Sequence, residues 1–235
     1  MMNTSVHKPT RRILHTADLH MAFLGDKGCR GLEAVVNMAI KKRADLLLIA
    51  GDLFDHNRVD EDLLEFVRAQ FWRLPIPIVI LPGNHDCLMP GSVLSRTEFW
   101  KSCRNLYVLR NTHGEILDLP YLNVSIWGKP IDTYLGDIHP MKDMPEPSDN
   151  GSWHIAVAHG YYVDTEPPRF PSYHITEQEI MKCDWDYVAL GHVPVFRCVC
   201  NDPIAYYSGS PLISGTAALV DLNEKAGVHV TSCSV

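Results

Sequence analysis

Five short motifs along the sequence carry acidic, amide and imidazole side chains of the kinds that bind divalent metal ions. In chain order they contain Asp18 and His20, then Asp52, then the run Asn84, His85 and Asp86, then His159, and finally His192. Such a mixture of oxygen and nitrogen donors suits Mn, Fe or Zn better than Mg alone. Glycines stand beside most of these residues and allow the backbone to turn sharply and approach a site closely.

Donors of this kind can support the hydrolysis of a phosphate ester. Attack at phosphorus requires that the charge on the phosphoryl oxygens be neutralised and that a hydroxide be available near neutral pH. Two divalent ions about 3.5–4 Å apart supply both, and one carboxylate has to bridge them. The motifs therefore predict a site for two metal ions.

The elements that must position these side chains are predicted strands, because each motif follows an apolar run. The runs span residues 12–16, 45–50, 76–81, 155–159 and 187–190. Uninterrupted apolar runs such as residues 45–50 are typical of strands buried on both faces. Since ligand sites in open α/β sheets lie at the carboxyl edge of the strands, we expect the five motifs to converge on one edge of the sheet.

Two helices are predicted between the early strands. Over residues 31–43, apolar residues at positions 32, 35, 36, 39 and 40 follow the spacing of an amphipathic helix. A second helix begins after Asp60, which can cap it, and ends at Pro75. The alternation of strand and helix predicts βαβ units with right-handed crossovers.

The second half of the chain is predicted to be rich in short strands, with loops over residues 137–151 and 163–172. We expect a single α/β domain over residues 1–235, with a core of about residues 12–222 and two packed β-sheets. After the His159 motif, Tyr161, Tyr162, Arg169 and Phe170 could either stack on a substrate or pack their loop.

Composition narrows the function. The 235 residues carry a net charge of -7, which argues against a protein that coats nucleic acid but not against one that cuts it at a metal site. No apolar run is long enough to span a membrane, and the N-terminus lacks a signal-peptide pattern. With no export signal, the seven cysteines are expected to be reduced thiols in the cytoplasm. The sequence indicates no oligomeric state.

Taken together and in this order, the motifs DLH, GDLFD, GNHD, AHG and GH resemble the calcineurin-like metallophosphoesterase family. The similarity runs from about residue 12 to residue 214. The stretches GDLFDHNRV and YYSGSPLISGT further resemble the nuclease subunits of double-strand-break repair complexes. The resemblance implies a four-layer αββα sandwich of two mixed β-sheets flanked by helices.

The resemblance also implies a role for each motif residue. Asp18 and His20 would hold the first metal, Asp52 would bridge both, and Asn84, His159 and His192 would complete the second. His85 matches the family's catalytic histidine, which stabilises or protonates the leaving oxygen, and Asp86 would orient it. The implied reaction is in-line attack by a metal-bound hydroxide, with Mn favoured over Fe or Zn.

One position departs from the family. Gly-His-x-His is the usual final motif, and its last histidine binds the first metal, whereas here Pro194 stands in that place. Because proline has no side-chain ligand, we expect a weaker first metal site. Either His174 or His56 could substitute.

Three functions therefore stay open. The favoured one is a metal-dependent phosphoesterase, with a phosphodiester preferred, that resembles DNA repair exonucleases; the net charge does not support extensive nucleic-acid contact. The second is a small-molecule or cyclic-nucleotide phosphodiesterase or phosphatase. The third is a catalytically weakened fold of this kind that serves as a binding module.

Overall fold

The architecture is a sandwich of two six-stranded mixed β-sheets with helices on the outer side of each. The structure is a computed structural model that describes residues 8–164 and 172–235. The four layers predicted from the sequence are confirmed. Of the predicted loop at 163–172, only the ends lie within the described residues, and Arg169 and Phe170 lie outside them.

The first sheet contains the three strands that precede the first three motifs. Its order is β14-β13-β1-β2-β3-β4, with β1 to β4 parallel and the last two strands of the chain antiparallel. Its strands are β1 (Arg11–Thr16), β2 (Leu46–Ala50), β3 (Ile78–Leu81), β4 (Leu106–Val108), β13 (Thr216–Asn223) and β14 (Gly227–Ser234).

The second sheet contains the strands that precede the last two motifs. Its order is β11-β12-β10-β7-β6-β5, with four parallel central strands and an antiparallel strand at each edge. Its strands are β5 (Glu115–Leu119), β6 (Val124–Gly128), β7 (Trp153–His159), β10 (Tyr187–Gly191), β11 (Phe196–Asn201) and β12 (Ile204–Ser208). A separate parallel pair consists of β8 (Tyr161–Val163) and β9 (His174–Thr176).

The helices lie between the strands. They are α1 (Lys27–Lys42), α2 (Glu61–Trp72), α3 (Thr97–Lys101) and α4 (Glu177–Met181), with a 3-10 turn at Val93–Ser95. The short helices α3 and α4 carry too few residues for an apolar period to reveal them.

Helix α1 begins four residues before the predicted start at residue 31. The Asp26 carboxylate caps it by accepting a hydrogen bond of 2.8 Å from the backbone of Cys29. Gly28, a poor helix former, lies inside it because a Cβ there would lie 2.6 Å from the Leu19 carbonyl oxygen. Close packing against the chain after β1 therefore outweighs helix propensity. Ile40, predicted to face the core, is exposed.

Helix α2 starts where the sequence predicts, but its cap differs. Asp60 occupies the N-cap position and its side chain makes no capping hydrogen bond. The last apolar residue of the predicted helix, Leu74, lies beyond the helical end at Trp72 and is still buried.

Three apolar layers hold the sandwich together. Helices α1 and α2 pack on the outer face of the first sheet, and α4 packs on the outer face of the second. The central layer lies between the sheets and joins residues such as Leu48 and Val79 to Ile155 and Val157. Successive residues of a strand face opposite layers, which is why both sheets read as continuous apolar runs.

The remaining sequence predictions concern loops, thiols and membranes. Residues 137–151 form a largely exposed loop, but Met141 is buried against the second sheet. All seven cysteines are free thiols. Within residues 8–164 and 172–235, no helix has both the length and the apolar character needed to cross a membrane.

Candidate metal centre

The predicted ligands meet at the seam between the two sheets. Asp18, Asp52 and Asn84 follow strands β1, β2 and β3 of the first sheet, whereas His159 and His192 end or follow strands β7 and β10 of the second. The prediction of one common sheet edge is therefore wrong in one respect, because two sheets contribute. Their carboxyl edges lie side by side since the sheets are packed face to face.

Backbone hydrogen bonds fix the loops that carry the first motifs. The amide of Asp18 donates to the Gly51 carbonyl at 3.1 Å, and the amide of His20 donates to the Asp52 carbonyl at 3.1 Å. Across the seam, the amide of His192 donates to Asp18 Oδ2 at 3.1 Å. The β1 loop is thus tied to both of its neighbours.

Four of the predicted ligands have left-handed backbone conformations. The φ angles are 55° at Asp18, 46° at His20, 53° at Asp52 and 96° at His192. Non-glycine residues seldom adopt this region, and where they do the surrounding structure has to enforce it. The strained turns aim successive polar side chains at the same point.

Glycines allow the seam to close. A Cβ on Gly191 would lie 1.8 Å from the Ala50 carbonyl oxygen of the other sheet. A Cβ on Gly51 would lie 2.1 Å from His159 Nδ1, and one on Gly83 would lie 2.2 Å from Asp52 Oδ1. Each of the three glycines therefore allows the backbone of one motif to lie close to a residue of another motif or of its strand.

Asp52 lies at the centre of the cluster and is almost completely buried. Its Oδ1 accepts a hydrogen bond of 2.9 Å from the amide of His85. Its Oδ2 lies 3.2 Å from Nε2 of His159 and 3.8 Å from Nε2 of His20. One carboxylate therefore faces imidazoles on both sides, as a bridging ligand must.

Asn84 connects the two histidines of the second sheet. Its Oδ1 lies 3.0 Å from His159 Nε2 and 3.0 Å from His192 Nδ1. His159 Nδ1 lies 2.8 Å from the Ala50 carbonyl oxygen, which can only accept, so Nδ1 carries the proton. Its Nε2 is then free to bind a metal.

Two groups of donor atoms within 4.8 Å of one another emerge from the described residues. One consists of His20, Asp52 and His85, and the other of Asp52, His159 and His192. Asp18 adjoins the first group, with Oδ1 3.8 Å from His20 Nε2. The two groups share only Asp52.

The two histidines expected to replace the one that Pro194 displaces lie outside the first group. Pro194 is half-buried, and neither His56 nor His174 belongs to a donor group among residues 8–164 and 172–235. A weaker first metal site stays a prediction.

His85 is oriented by Asp55. Nδ1 of His85 donates to the Asp55 backbone carbonyl at 2.9 Å and lies 3.3 Å from its carboxylate. The same carboxylate lies 3.1 Å from Nδ1 of His20, and the two imidazole rings meet edge to face at 4.6 Å between centroids. Asp55 thus holds both imidazoles with their Nε2 atoms directed away from it.

The sequence predicts that Asp86 orients His85, but His85 contacts Asp55 instead. The Asp86 carboxylate instead accepts hydrogen bonds from the amides of Gly83, at 2.8 Å, and Phe54, at 3.1 Å. It closes its own turn and fastens that turn to the loop after β2. The two residues are neighbours in sequence, but a sharp turn points their side chains apart.

Burial and neighbouring charges shift the pKa values of the acidic residues. Burial raises the pKa of Asp18 to about 6, and the charge of Asp52 adds to that effect. Burial and Asp52 likewise raise the pKa of Asp86 to about 7. Burial alone would raise the pKa of Asp52, but the charge and hydrogen bond of His159 outweigh it and lower that pKa.

The pKa values of His159 and His192, on the second sheet, shift in opposite directions. Burial lowers the pKa of His192 to about 4, and the neighbouring His159 contributes to that lowering. Burial also acts to lower the pKa of His159, but the carboxylates of Asp52 and Asp18 outweigh it and raise the value to about 9. The cluster therefore stabilises one positive charge beside Asp52.

The donor set fits divalent metal ions. Two buried carboxylates, an amide oxygen and three imidazoles converge at distances of about 3–4 Å, and the centre favours positive charge. This mixture matches Mn, Fe or Zn better than the oxygen-only preference of Mg. The residues that would hold such ions are Asp18, His20, Asp52, Asn84, His159 and His192.

Two supporting residues escaped the sequence prediction although both lie in motifs that resemble the family. Asp55 is the last residue of GDLFD, a motif in which only Asp52 is a predicted ligand. Ser210 lies in YYSGSPLISGT, is fully buried, and donates from Oγ to the Asp18 carbonyl at 2.6 Å. Its Oγ also accepts from the amide of Leu212 at 3.1 Å, which ties the late loop to the first motif.

Comparison with known proteins agrees with this geometry. The D subunit of nuclease SbcCD from Staphylococcus epidermidis is 26% identical in an alignment that covers 93% of this chain and 65% of that protein. The DNA double-strand break repair protein Mre11 of Aeropyrum pernix is 36% identical over 32% of this chain and 21% of its own length. The chain thus spans less than two thirds of either relative.

Among solved structures, TT1561 of Thermus thermophilus shares the fold. Its TM-score is 0.60 at 13% identity, and the superposition covers 95% of this chain and 99% of that one. The sequence profile of calcineurin-like phosphoesterases matches residues 11–196, a span that includes all five motifs. With these motifs at strand ends joined at the seam of an αββα sandwich, the chain belongs to the calcineurin-like phosphoesterase family.

Proposed function

We propose that the protein is a metal-dependent phosphodiesterase. The observation that carries this proposal is the position of Asp52, whose carboxylate is shared by two groups of metal donors, one of which contains His85. A dinuclear centre with an imidazole close to the leaving oxygen is an arrangement suited to phosphoester hydrolysis. The free thiols support a reducing compartment such as the cytoplasm.

Each residue of the centre has a separate task. Two divalent ions, with Mn favoured, would neutralise the phosphoryl oxygens and make hydroxide available for in-line attack. Asp52 fixes the spacing between the two halves of the centre. Asn84, with its amide oxygen between His159 and His192, sets the angle between those rings.

His85 is placed to assist the leaving oxygen. Its Nδ1–H is held by the Asp55 carbonyl, so Nε2 faces the centre and can hold or deliver a proton there. The Asp55 carboxylate lies 3.3 Å from Nδ1 of His85 and 3.1 Å from Nδ1 of His20, so it helps to orient both imidazoles. A proton given to the leaving oxygen completes the hydrolysis.

A phosphodiester is preferred to a monoester on the strength of the relatives. One relative is named as a nuclease and Mre11 as a DNA double-strand break repair protein, and the similarity to the nuclease covers nearly the whole chain. The net charge of -7 opposes extensive contact with a nucleic-acid backbone. The substrate therefore engages the protein chiefly at the metal centre itself.

A binding module with weakened catalysis is the second candidate. The observation that favours it is Pro194, together with the absence of His56 and His174 from the donor groups of the described residues. In that case the first ion would bind poorly, and the centre would recognise a phosphate without cleaving it.

Hydrolysis of bis-p-nitrophenyl phosphate and p-nitrophenyl phosphate in the presence of Mn tests the proposal. We expect faster turnover of the diester, and a loss of about 1,000-fold or more in Asp52→Asn, because both halves of the centre depend on this carboxylate. Asp149→Asn, an exposed acid outside the centre, is the matched control and should equal the wild type.

Metal titration of the same proteins tests the centre that both candidates share. One tight and one weaker Mn site, with both lost in Asp52→Asn, supports the shared centre and the effect of Pro194, and turnover of the diester then distinguishes the phosphodiesterase from the binding module. Two equally tight sites would contradict the role assigned to Pro194. Equal and negligible turnover in wild type and Asp52→Asn would contradict the phosphodiesterase and support the binding module.

A further inference from the structure

A tyrosine beside the metal centre has a fixed hydroxyl and an open ring. Tyr134 is 51% exposed, yet its Oη accepts a hydrogen bond of 2.8 Å from Nδ2 of Asn57. Asn57 is itself immobilised, because its Nδ2 also donates to the Cys87 carbonyl at 3.1 Å and its Oδ1 accepts from the amide of Val93 at 3.1 Å. The ring is therefore presented in one orientation.

These contacts place Tyr134 on the side of the centre that His85 occupies. Asn57 comes two residues after Asp55, the residue that orients His85, and Cys87 comes two residues after His85 itself. The hydrogen bond that holds Tyr134 therefore comes from Asn57, which is in turn held by the Cys87 carbonyl, and both residues lie close in sequence to Asp55 and His85.

The backbone beside Tyr134 is fixed from the opposite side of the centre. Oη of Tyr173 donates to the carbonyl of Thr133 at 3.1 Å. The ring of Tyr173 meets the ring of His192 edge to face, with 6.2 Å between centroids. The loop at 133–134 therefore bridges the His192 side and the His85 side of the centre.

The exposed side chains in these segments are both apolar and charged. Leu135, next to Tyr134, is 85% exposed, and Arg58, next to Asn57, is also exposed. An exposed ring with an apolar neighbour can stack on a flat group. Of two other exposed tyrosines, Tyr161 follows the His159 motif, whereas Tyr121 lies in the hairpin between β5 and β6, at the end of the sheet away from the centre.

We propose that the Tyr134 ring stacks on the base of a nucleoside leaving group and thereby selects phosphodiesters whose leaving alcohol carries a flat ring. The inference rests on the proposed function, since the leaving oxygen must lie beside His85 for the base to reach Tyr134. Stacking needs the ring and not the hydroxyl. Because Asn57 already restricts the ring, little conformational entropy is lost when a base packs on it.

Dinucleoside phosphates with and without a base on one nucleoside test this specificity. The substrates are a deoxydinucleotide and its two abasic analogues, one lacking the base on each side of the phosphate. The product that retains the phosphate identifies the leaving nucleoside. We compare kcat/KM, with Mn, for the wild type, Tyr134→Ala, Tyr134→Phe and Tyr121→Ala as the matched exposed tyrosine.

Tyr134→Ala should lose about tenfold in kcat/KM only on substrates whose leaving nucleoside has its base, because stacking of one base on an aromatic ring has about that effect. The abasic leaving group should be cleaved equally by wild type and Tyr134→Ala. Tyr134→Phe should keep most of the preference for a base, and Tyr121→Ala should match the wild type throughout.

Three outcomes would overturn the inference. Equal losses on the intact and abasic substrates would reduce Tyr134 to a structural support of its loop. Sensitivity only to the base on the retained nucleoside would place the ring on the wrong side of phosphorus. Cleavage of bis-p-nitrophenyl phosphate without cleavage of any dinucleotide would exclude a nucleoside from the centre while leaving the phosphodiesterase intact. Failure of the proposed function itself is distinct, since then neither kind of diester is cleaved.

Discussion

At the scale of single residues, Asp55 affects the proposed centre although it is not one of the proposed metal ligands. It contacts Nδ1 of both His20 and His85. One of these imidazoles is a predicted ligand and the other a predicted proton donor. Residues that hold the distal nitrogen of a ligand histidine fix its tautomer and its ring orientation. Metal affinity and proton delivery therefore depend on the same carboxylate.

Asp55→Ala should reduce both properties. We expect weaker Mn binding, by about 10–100-fold, because His20 loses its orienting partner. We also expect a modestly lower kcat at saturating Mn, because the variant removes the carboxylate contact at 3.3 Å from Nδ1 of His85 but keeps the hydrogen bond to the Asp55 backbone carbonyl. Activity measured against Mn concentration checks both effects.

Asp60→Ala is the control for this variant. Asp60 lies five residues further on and makes no side-chain hydrogen bond at the start of α2. If saturating Mn returned Asp55→Ala to full activity, the Asp55 carboxylate would act on the metal alone and would have no part in orienting His85.

At the scale of elements, the ends of parallel strands decide where the chemistry lies. The five motifs follow β1, β2, β3, β7 and β10, and those strands belong to two sheets that touch through a dry apolar layer. A glycine after a strand is thus as important as the ligand beside it, because a Cβ would hold the sheets apart.

Gly191→Ala tests this close approach. The new Cβ would lie 1.8 Å from the Ala50 carbonyl oxygen, a backbone atom that cannot rotate away. We expect the variant to lose at least about 2 kcal/mol of unfolding free energy, as overpacked cores do, and to lose Mn binding because the seam opens. Urea denaturation in the presence of a chelator measures the loss of stability, and Mn titration measures the loss of metal binding.

Gly25→Ala separates crowding from backbone strain. Gly25 has a φ of 85°, and a Cβ there would have no heavy atom within 4 Å. Alanine at this position should therefore lower the free energy of unfolding by only about 1 kcal/mol and leave Mn binding unchanged. Equal losses in the two variants would mean that the seam tolerates a methyl group.

Much of this arrangement could be predicted from the sequence. The apolar runs located β1, β2, β3, β7 and β10 within about two residues, because buried parallel strands leave a continuous apolar signal. The resemblance of the ordered motifs also named the candidate ligands, and the fold brings these residues together. Which sheet each strand joins could not be predicted, since strand pairing is decided by contacts far apart in the chain.

The contacts around His85 could not be predicted for a related reason. Sequence proximity suggested Asp86 as its partner, whereas the fold brings Asp55 from the preceding strand end to its Nδ1. Tyr134 carried no signal at all, because an exposed tyrosine in a loop resembles many others until its hydrogen bonds are known.

At the scale of the whole molecule, a buried histidine links the two sheets and makes stability depend on pH. His15 of β1 is completely buried, and its Nδ1 lies 2.9 Å from Oη of Tyr187 in β10. Burial lowers the pKa of His15 from 6.5 to about 3. Below pH 6.5 the unfolded chain therefore takes up a proton that the folded chain refuses.

The stability that His15 contributes is present above pH 6.5 and is lost as the pH falls towards 3. The loss should approach about 1.4 kcal/mol per pH unit for this one group. Unfolding by urea between pH 7 and pH 5 should show a steeper decline in wild type than in the double variant His15→Leu/Tyr187→Phe. Tyr187→Phe alone keeps the histidine and should keep the wild-type slope. Identical slopes in all three proteins would show that His15 titrates normally.

The division of the ligands between two sheets also sets an order of events during synthesis. Asp18, His20, Asp52 and Asn84 leave the ribosome in the first part of the chain, and His192 follows Asp18 by 174 positions. A nascent first sheet thus offers mainly oxygen donors, which suit Mg as well as Mn. The imidazoles of His159 and His192, which favour Mn, Fe or Zn, arrive only when the second sheet docks. Selection between Mg and Mn, Fe or Zn at the proposed centre would accordingly be a property of the finished fold, since the complete donor set exists only when both sheets are in place.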